Sequence, residues 1–340
     1  MPAVRLTDVA QRAGVSLATA SRVINGSHRI PAEAIANRVR AAAEELGYVA
    51  NAQAQALARS ATGLIGLIVH DIADPYFSSI VRGAQRLARD HRSQVLLAGT
   101  ERREQAELDA VAAFAAYRTD AIILAGSRGQ HSDVALIREL KRYTGNGGKV
   151  VAFGREIVPG ARSVEIANRE GAQQLVSALV GRGLRRFAIL SGPPDLVTTS
   201  DRVAGFRDSL AAAGLDPLAV GAGDFNSSGG YSSALQVWRE LEHDEREHHS
   251  SEPVCLLAVN DLMAQGAITA LRSRGLSVPR DVQVAGFDDI PTLRDYAPTL
   301  TTFRLPLEEI GERAARLALA VGTTDFAPIT GEVVLRESAG

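Results

Sequence analysis

The chain has 340 residues, 46% of them hydrophobic, and a formal net charge of −2, which favours a globular protein of two or three domains. Its single cysteine, Cys255, lies in an apolar run, so disulfides and cysteine-based metal sites are excluded. The sequence has no signal-peptide core and no apolar run of membrane length, so we expect a cytoplasmic protein without a membrane partner.

The charge is unevenly distributed along the chain. Residues 1–60 contain seven arginines and four acidic residues, a balance of +3 that leaves −5 for the remainder. A basic amino-terminal region before an acidic body is typical of a protein whose first domain meets phosphate groups. An ordinary solvated surface would have the same charge balance. The helical pattern of this region is therefore needed to distinguish it from a phosphate-binding domain.

Residues 6–25 predict two short helices separated by a tight turn. The first apolar face has the spacing of one side of a helix and consists of Leu6, Val9, Ala10 and Ala13. The second consists of Ala20, Val23 and Ile24. Thr7 and Ser16 stand at positions suited to helix N-caps, and Gly14 suits the positive φ that the turn requires.

The outward face of the second helix carries side chains that suit the major groove of DNA. Arg22 suits two hydrogen bonds to a guanine edge, although a phosphate contact or a plain surface arginine would fit it too. Leu17 and Ala18 are apolar and suit thymine methyl groups, so these three residues are the predicted base contacts. Phosphate contacts are predicted for the nearby polar side chains Thr7, Ser16, Thr19, Ser21 and Asn25.

A third helix is predicted at residues 32–46, with Pro31 at its entry and Gly47 as its stop. The Ala/Gln-rich segment that follows, residues 52–58, is too short to form a stable helix in isolation. We interpret it as a linker that folds only when it is docked.

From Thr62 onward, apolar strand-like runs alternate with helical segments. Continuous apolar strands predict parallel sheets that are covered on both faces. The predicted strands are Leu64–Val69, Val95–Ala98, Ala121–Ala125, Val150–Phe153, Arg186–Leu190, Val254–Val259 and Val282–Phe287. This region is longer than one sheet usually requires, so two α/β lobes are expected. The histidine-rich run at residues 242–249 invites a metal site, but we interpret it as a solvated helix end or loop.

Several short motifs follow one another along the chain. Residues 15–25, VSLATASRVIN, are close to the pattern V-S-x-A-T-V-S-R-V-x-N. The motifs that follow are Gly47-Tyr48 with Asn51, Leu57, Arg202–Phe206, Asn260–Ala264, Gly286–Asp289 and Pro298–Thr302. In this order and spacing, the chain resembles the lactose/galactose repressor family of bacterial transcription regulators over nearly its full length.

The resemblance implies an all-α helix-turn-helix DNA-binding head and an α/β two-lobed core with parallel sheets, like a type I periplasmic binding protein. The head is expected at residues 1–49, a hinge helix or linker at 50–61 and the effector-binding core at 62–340. The amino lobe would comprise 62–163 and 304–325, and the carboxyl lobe 164–290 and 328–340. The chain would cross between the lobes near Ser163, across Asp289–Arg304 and across Thr324–Pro328.

The resemblance also implies a hinge that enters the DNA minor groove through Asn51, Ala54 and Leu57. Leu57 matches the leucine that wedges into the operator centre and kinks the DNA, whereas the residues alone would favour a small packing contact for a leucine in an Ala/Gln linker. Ala50 replaces a usual proline and Gln55 an arginine that often contacts phosphate, departures that should loosen hinge docking.

The effector site implied by the resemblance lies between the lobes, at the carboxyl ends of parallel strands. Its expected residues are Asp74, Phe77, Arg155, Arg202, Phe225, Asn260 and Asp288. Carboxylate, guanidinium and amide groups suit the hydroxyls of a sugar or polyol, and Phe225 suits stacking on a ring. A structural ion pair is the alternative for Arg202 and Asp288. Ala167 replaces a frequent aspartate and Leu305 a frequent glutamine, which favours an effector less polar than a typical hexose or one held in a different pose.

The resemblance thus predicts a repressor, not an enzyme, that acts without a cofactor on the bacterial nucleoid. Its expected partners are operator DNA with an inverted repeat, a small-molecule effector and a second copy of the chain. A repressor with a non-functional pocket that binds DNA constitutively is an alternative. A transporter solute-binding protein would lack the head. A nucleotide-dependent dehydrogenase would need a G-x-G-x-x-G run after Leu64–Val69, and the sequence has none.

Overall fold

The computed structural model describes residues 4–25, 31–49, 61–129, 134–248, 252–323 and 326–340, without the side chains of 243–248. The chain divides into two compact units, one before Leu64 and one from Leu64 to Gly340. The predicted hinge residues Asn51, Ala54 and Leu57 lie outside the described residues, as do Ala50 and Gln55.

The first unit contains three helices: α1 (Leu6–Ala13), α2 (Leu17–Asn25) and α3 (Glu33–Glu45). Their shared core consists of Val9, Ala10, Ala13, Ala20, Val39 and Ala42. The predicted turn is confirmed, because Gly14 has a φ of 65° and the backbone N–H of Val15 donates to the carbonyl of Ala10. This arrangement is a helix-turn-helix with a third supporting helix.

The two predicted N-caps have different outcomes. Ser16 precedes α2, and its Oγ accepts a hydrogen bond from the backbone N–H of Thr19 at 3.2 Å, which confirms it as the cap. Thr7 as a cap was wrong, because α1 already begins at Leu6. At that end the backbone N–H of Arg5 donates to the carboxylate of Asp8 instead, at 2.8 Å.

The amino lobe of the second unit is built on a parallel sheet of five strands with the order β2-β1-β3-β4-β5. The strands are β1 (Leu64–Val69), β2 (Gln94–Gly99), β3 (Ala121–Leu124), β4 (Lys149–Phe153) and β5 (Arg162–Val164). The helices of this lobe are α4 (Pro75–Asp90), α5 (Glu104–Ala116), α6 (Val134–Gly145) and, from much later in the chain, α11 (Leu307–Leu319).

The carboxyl lobe has a six-stranded sheet with the order β11-β10-β9-β8-β6-β7, in which β11 alone is antiparallel among the described strands. The strands are β6 (Phe187–Ser191), β7 (Val220–Ala222), β8 (Val254–Ala258), β9 (Val282–Asp288), β10 (Thr301–Arg304) and β11 (Glu332–Val334). The helices are α7 (Asn168–Gly181), α8 (Val197–Ala212), α9 (Ser227–His248), α10 (Asp261–Ser273) and the 3-10 helix Pro291–Leu293.

All seven predicted strands are present, each within about one residue of its expected ends. The continuously apolar ones are buried throughout, as β3, β6 and β8 show. Residues 242–248 of the histidine-rich run are part of a helix, because α9 continues to His248. No helix in the described ranges combines the length and the apolar character that a membrane span needs.

The second predicted crossing was wrong in position. β10 pairs in parallel with β9, so residues 289–304 stay in the carboxyl lobe and the chain leaves it at Leu305 and Pro306. The crossing before α7 and the one after α11 are hydrogen-bonded to each other. The N–H of Ile329 donates to the carbonyl of Glu165 at 2.8 Å, and the N–H of Ala167 donates to the carbonyl of Ile329 at 2.9 Å.

Helices α4 and α11 approach each other at two glycines. A Cβ at Gly83 would lie 1.9 Å from the carbonyl oxygen of Glu308, and a Cβ at Gly311 would lie 1.9 Å from that of Ile80. The backbones of the two helices are therefore in direct contact at these points, and only glycine, which has no Cβ, permits such a contact.

Candidate functional sites

The predicted base-reading side chains all face solvent on α2. Leu17 is 49% exposed, and Ala18 and Arg22 are exposed beside it, whereas Ala20 on the opposite face is buried in the core. The sequence folds this way because the apolar residues of α2 are needed against α1 and α3. The face that remains has the size and chemistry to enter a major groove.

The predicted phosphate contacts flank this face and are oriented by each other. Ser16 and Thr19 share a hydrogen bond between their hydroxyls at 2.9 Å, and Asn25 donates from Nδ2 to the Ser21 hydroxyl at 3.0 Å. Thr7 is exposed at the start of α1. The short polar side chains are thus held in place, as a surface that sets the register on a DNA backbone requires.

A cleft of about 910 Å³ separates the two lobes of the second unit, and all seven residues predicted for the effector site line it. The strand ends explain this convergence. Asp288 ends β9, Asn260 follows β8 and Phe225 follows β7, while Asp74 and Phe77 begin α4. Because parallel strands end at one edge of each sheet, their loops face each other across the gap.

Arg202 lies at the centre of the carboxyl-lobe wall and is only 2% exposed. Its Nε donates to Asn168 Oδ1 at 2.9 Å, one terminal nitrogen donates to the carbonyl of Val259 at 2.7 Å, and the other donates to Asp288 Oδ1 at 2.8 Å. The guanidinium carbon also lies 3.8 Å from the ring centroid of Phe287. The structural ion pair considered for Arg202 and Asp288 is therefore formed, and both residues line the cleft as well.

The carboxylate of Asp288 is presented by a strained backbone. Asp288 has a φ of 118° and Asp289 a φ of 56°, both in the region that disfavours side chains. Burial raises the pKa of Asp288 to about 7, although the positive charge of Arg202 opposes the shift. Burial therefore disfavours the charged form of this carboxyl group, and Arg202 compensates by pairing with it at the wall of the cleft.

Asp289, by contrast, is fixed by three arginines. Its carboxylate accepts from Arg304 at 2.7 Å, from Arg336 at 2.7 Å and from Arg294 at 3.1 Å, and its side chain is 1% exposed. The hydrogen bonds from Arg336 and Arg304 lower the pKa of Asp289 against the opposing effect of burial. These contacts hold the strained turn that aims Asp288 at the cleft.

The amino-lobe wall begins with Asp74, which caps α4 by accepting from the backbone N–H of Tyr76 at 2.8 Å. Burial raises the pKa of Asp74 to about 6. Phe77 is buried, and its ring meets the edges of His70 and Tyr76 at centroid distances of 5.9 and 5.1 Å. Tyr76 also lines the cleft, and burial and the charge of Asp288 raise the pKa of its hydroxyl.

The remaining predicted residues have more peripheral roles. Asn260 is 3% exposed and caps α10 by accepting from the N–H of Met263 at 2.8 Å. Phe225 lies 5.3 Å below the guanidinium carbon of Arg102, which belongs to the other lobe. Arg155 is exposed at the edge of the cleft near Asp201. Burial raises the pKa of Asp201, and the positive charge of Arg155 opposes this rise only in part.

His70, Tyr76 and Arg102 line the cleft and were missed by the sequence analysis. His70 directly follows β1, and the rule that sites form at the carboxyl ends of strands already pointed to it. Its ring nitrogen Nε2 lies 2.9 Å from the carbonyl oxygen of Ser127, in the loop after β3. Burial and the charge of Arg102 lower the pKa of His70 to about 4, so the ring is neutral at pH 7.

The two lobes are also joined at the mouth of the cleft. The N–H of Val197 donates to the carbonyl of Arg128 at 3.1 Å, and Gly129 forms an antiparallel bridge with Leu196. We call this contact the clasp. The side chain of Arg128 pairs with Glu107 on the amino-lobe side. No three His, Cys, Asp or Glu side chains of the described residues are grouped as a metal ion would require.

Comparison with protein families gives two matches along the chain. The model of bacterial regulatory proteins of the lacI family matches residues 5–51, which include all of α1, α2 and α3. The model of the periplasmic binding protein-like domain matches residues 176–338, which include most of the carboxyl lobe and α11.

Curated relatives match almost the whole chain. The HTH-type transcriptional regulator GalS of Salmonella typhimurium is 32% identical over 330 residues, which are 95% of this chain and 92% of that protein. GalR of Escherichia coli is 32% identical over 93% of this chain and 88% of its own. The HTH-type transcriptional repressor CytR of E. coli is 31% identical over 93% of this chain and 89% of its own.

Solved structures agree in fold. The lac repressor dimer bound to operator and the anti-inducer ONPF superposes with a TM-score of 0.81 at 27% identity, covering 99% of both chains. The complex of the transcriptional regulator CelR with cellobiose gives 0.68 at 29% identity, covering 99% of this chain and all of that one.

Proposed function

The chain belongs to the LacI family of bacterial transcriptional regulators, and on that premise we propose that it is a homodimeric repressor controlled by a small polyhydroxylated effector. The observation that carries this proposal is the convergence of Arg202, Asp288, Asn260, Asp74 and Phe225 on one cleft between the lobes. Its architecture is that of a pocket that binds a small ligand with a few well-placed polar groups.

Two relatives support the choice of partners. The lac repressor relative was solved as a dimer on operator DNA with an anti-inducer, and the CelR relative was solved with cellobiose. We infer the same kinds of partner for this chain: an operator with an inverted repeat, a second copy of the chain and a sugar or related polyol. No cofactor is part of the proposal, and its place of action is the DNA of the bacterial cytoplasm.

On DNA, α2 would lie in the major groove with Arg22 donating to a guanine edge and Leu17 and Ala18 against thymine methyls. Ser16, Thr19, Ser21, Asn25 and Thr7 would contact phosphates. Asn51, Ala54 and Leu57 would form the minor-groove hinge between the heads of the dimer. A two-fold pair of such heads requires an inverted repeat.

In the cleft, Arg202 and Asp288 would hold the polar edge of the effector while Phe225 covers one face. Arg202 has five N–H donors, and three of its nitrogens are each bound to one protein oxygen, so donor capacity remains for a ligand. Ala167 and Leu305 are both buried, and neither is among the residues that line the cleft, so the less polar effector that they suggested stays a prediction.

The experiment is calorimetry of the full-length protein with sugars, polyols and nucleosides, combined with fluorescence anisotropy on an operator selected from random DNA. We expect one ligand class to bind once per chain and to change operator affinity. Operator binding that no ligand alters would support constitutive repression with a non-functional pocket and would contradict the proposal.

A further inference from the structure

Asn168, the first residue of α7, connects Arg202 with the segment that crosses between the lobes. Its Oδ1 accepts a hydrogen bond from the Nε of Arg202 at 2.9 Å. Its backbone N–H donates to the carbonyl of Ile166 at 2.7 Å, and its Nδ2 makes a longer contact of 3.4 Å with the same carbonyl. Asn168 is 9% exposed and lines the cleft. One buried side chain therefore joins the guanidinium of the effector site to the crossing before α7.

The other two protein oxygens that bind Arg202 belong to the carboxyl-lobe sheet. The carbonyl of Val259 follows β8, and the carboxylate of Asp288 ends β9. Asn168 is thus the partner of Arg202 that stands next to the first crossing. A ligand that shifts the guanidinium therefore either moves Asn168 as well or breaks the bond between them.

The crossing before α7 is itself paired with the crossing after α11. The N–H of Ile329 donates to the carbonyl of Glu165, and the N–H of Ala167 donates to the carbonyl of Ile329. Ile166 and Ile329 form a parallel bridge between these hydrogen bonds. We call these two segments the paired crossings. Because Asn168 directly follows Ala167, a displacement of its side chain acts on both segments together.

Close packing fixes the helix that carries Arg202 to the start of α7. A Cβ at Gly205 on α8 would lie 2.3 Å from the carbonyl oxygen of Arg169, so the two helix backbones are in direct contact there. Arg169 also pairs with Asp208 of α8 at 2.6 Å. Helix α8 therefore cannot move independently of the first turn of α7, and that turn begins with Asn168.

We propose that Asn168 is a positioning residue that couples the effector site to the paired crossings, because it passes a displacement of Arg202 on to Ile166 and Ile329. Truncation of its side chain should uncouple operator affinity from effector occupancy while both ligands still bind. This inference rests on the proposed function, since it presupposes an effector that changes operator affinity.

A first experiment needs no effector. Hydrogen exchange with mass spectrometry on the unliganded full-length protein follows the peptides that contain the amides of Ala167 and Ile329, which hold the paired crossings together. In Asn168→Ala these amides should exchange about fivefold faster or more, because the link to Arg202 no longer restrains the crossing. Unchanged exchange would overturn the link whatever the effector is.

The matched control is Gln173→Ala. Gln173 lies on the same helix, and its Nε2 donates to Asp208 of α8 at 3.1 Å. The control therefore also removes a hydrogen bond between α7 and α8, but none at Arg202. Exchange at the paired crossings should stay within about twofold of the wild type in this variant. An equal increase in both variants would indicate a general loosening of α7 and would contradict the role of Asn168.

A second experiment measures the coupling itself. Calorimetry with D-glucose, D-galactose and cellobiose identifies the sugar that binds most tightly, and fluorescence anisotropy gives operator affinity without this sugar and at its saturation. The ratio of the two operator affinities is the coupling factor, and in Asn168→Ala it should be about fivefold or more closer to one than in the wild type. A purely structural role would lower sugar and operator affinity but leave this ratio unchanged, so an unchanged ratio would overturn the proposal.

A conservative variant tests the hydrogen bond to Arg202. Asn168→Asp keeps an oxygen that accepts from Nε, so it should recover part of the coupling that Asn168→Ala loses. Equal losses in the two variants would contradict the role of this bond. If no sugar binds to the wild type or alters its operator affinity, the proposed function fails and the coupling with it, whereas the exchange experiment still decides whether Asn168 restrains the paired crossings.

Discussion

Asp289 accepts a hydrogen bond from Arg304 at 2.7 Å, and this contact joins the turn below the effector cleft to the last residue of β10. The chain crosses to the amino lobe immediately after Arg304. Asp289, which neighbours Asp288 in the strained turn, is therefore also attached to the residue that precedes the crossing segment. The position of Asp288 in the cleft and the position of the crossing segment depend on each other for this reason.

Replacement of Asp289 by asparagine keeps the shape and the tolerance for a positive φ but removes the charge that pairs with three arginines. We expect a loss of about 2 to 4 kcal/mol in the free energy of unfolding, because breaking a buried pair costs about 3 to 5 and part of the arginine charge is exposed. Urea unfolding monitored by tryptophan fluorescence measures it. Asp90→Asn, at the exposed end of α4, is the control, and an equal effect in both variants would contradict the role of the buried network.

Arg22→Ala should weaken operator binding by about 1 to 3 kcal/mol per half-site and relax specificity at one base pair, because it removes the side chain that we propose to contact guanine through two hydrogen bonds. Selection of binding sites from random DNA with both proteins reports the affected position. Arg38→Ala, an exposed arginine on α3, should leave the selected motif unchanged. A wild-type motif that persists in Arg22→Ala would rule out base reading by Arg22.

Leu57→Ala should reduce DNA bending and weaken specific binding more than non-specific binding, because it shortens the side chain that we propose as the wedge at the operator centre. If residues 51–58 fold only on DNA, their amide hydrogens should exchange fast in the free protein and slowly in the complex. Hydrogen exchange with mass spectrometry measures both states. Equal protection with and without operator would contradict coupled folding.

The stability of the core should depend on Asp288 between about pH 4 and 7. Its pKa rises from 3.8 in the unfolded chain to about 7 in the folded protein, so the folded state binds the proton more tightly. The resulting stabilisation is complete below pH 3.8 and is lost as the pH rises towards 7. In Asp288→Asn, the free energy of unfolding should fall less steeply with rising pH over this range. The slopes of the wild type and the variant should differ by at most about 1.4 kcal/mol per pH unit. Parallel pH profiles would show that Asp288 does not titrate there.

The clasp should be trapped by a disulfide between Gly129→Cys and Leu196→Cys, since bridge partners lie within reach of one. Oxidation should raise the free energy of unfolding by about 4 kcal/mol, as expected for a long closed loop. Peptide mapping under non-reducing conditions identifies the bond. Each single cysteine variant, which retains the buried Cys255, is a control, and failure to form the bond would show that the lobes do not meet there in solution.

Most of the fold could be predicted because its strands are long and continuously apolar. The strands that were missed, β5, β7, β10 and β11, have three or four residues each, and all except β7 mix polar with apolar side chains. Such short strands are defined by their partners in the sheet and not by their own pattern. The error in the second crossing follows directly, because β10 was not recognised as a strand.

The seven effector residues were predicted from the motifs of a family, whereas the contacts that organise them were not. Arg294, Arg304 and Arg336 are separated by up to 42 residues, and only the fold brings them to Asp289. The space for the ring of His70 depends on the missing side chain of Gly126, which is distant in sequence. Contacts between residues so far apart in the chain leave no pattern in the local sequence from which they could be predicted.

The glycine contacts between α4 and α11 determine how the amino lobe can move. Helix α11 begins after one crossing and ends before another, and the first turn of α4 carries Asp74 and Phe77 to the cleft. Because Gly83 and Gly311 leave no space between the two backbones, α11 cannot slide past α4 without a steric clash. We therefore expect a displacement of the crossing segments to be passed through α11 to α4, whose first turn faces the cleft.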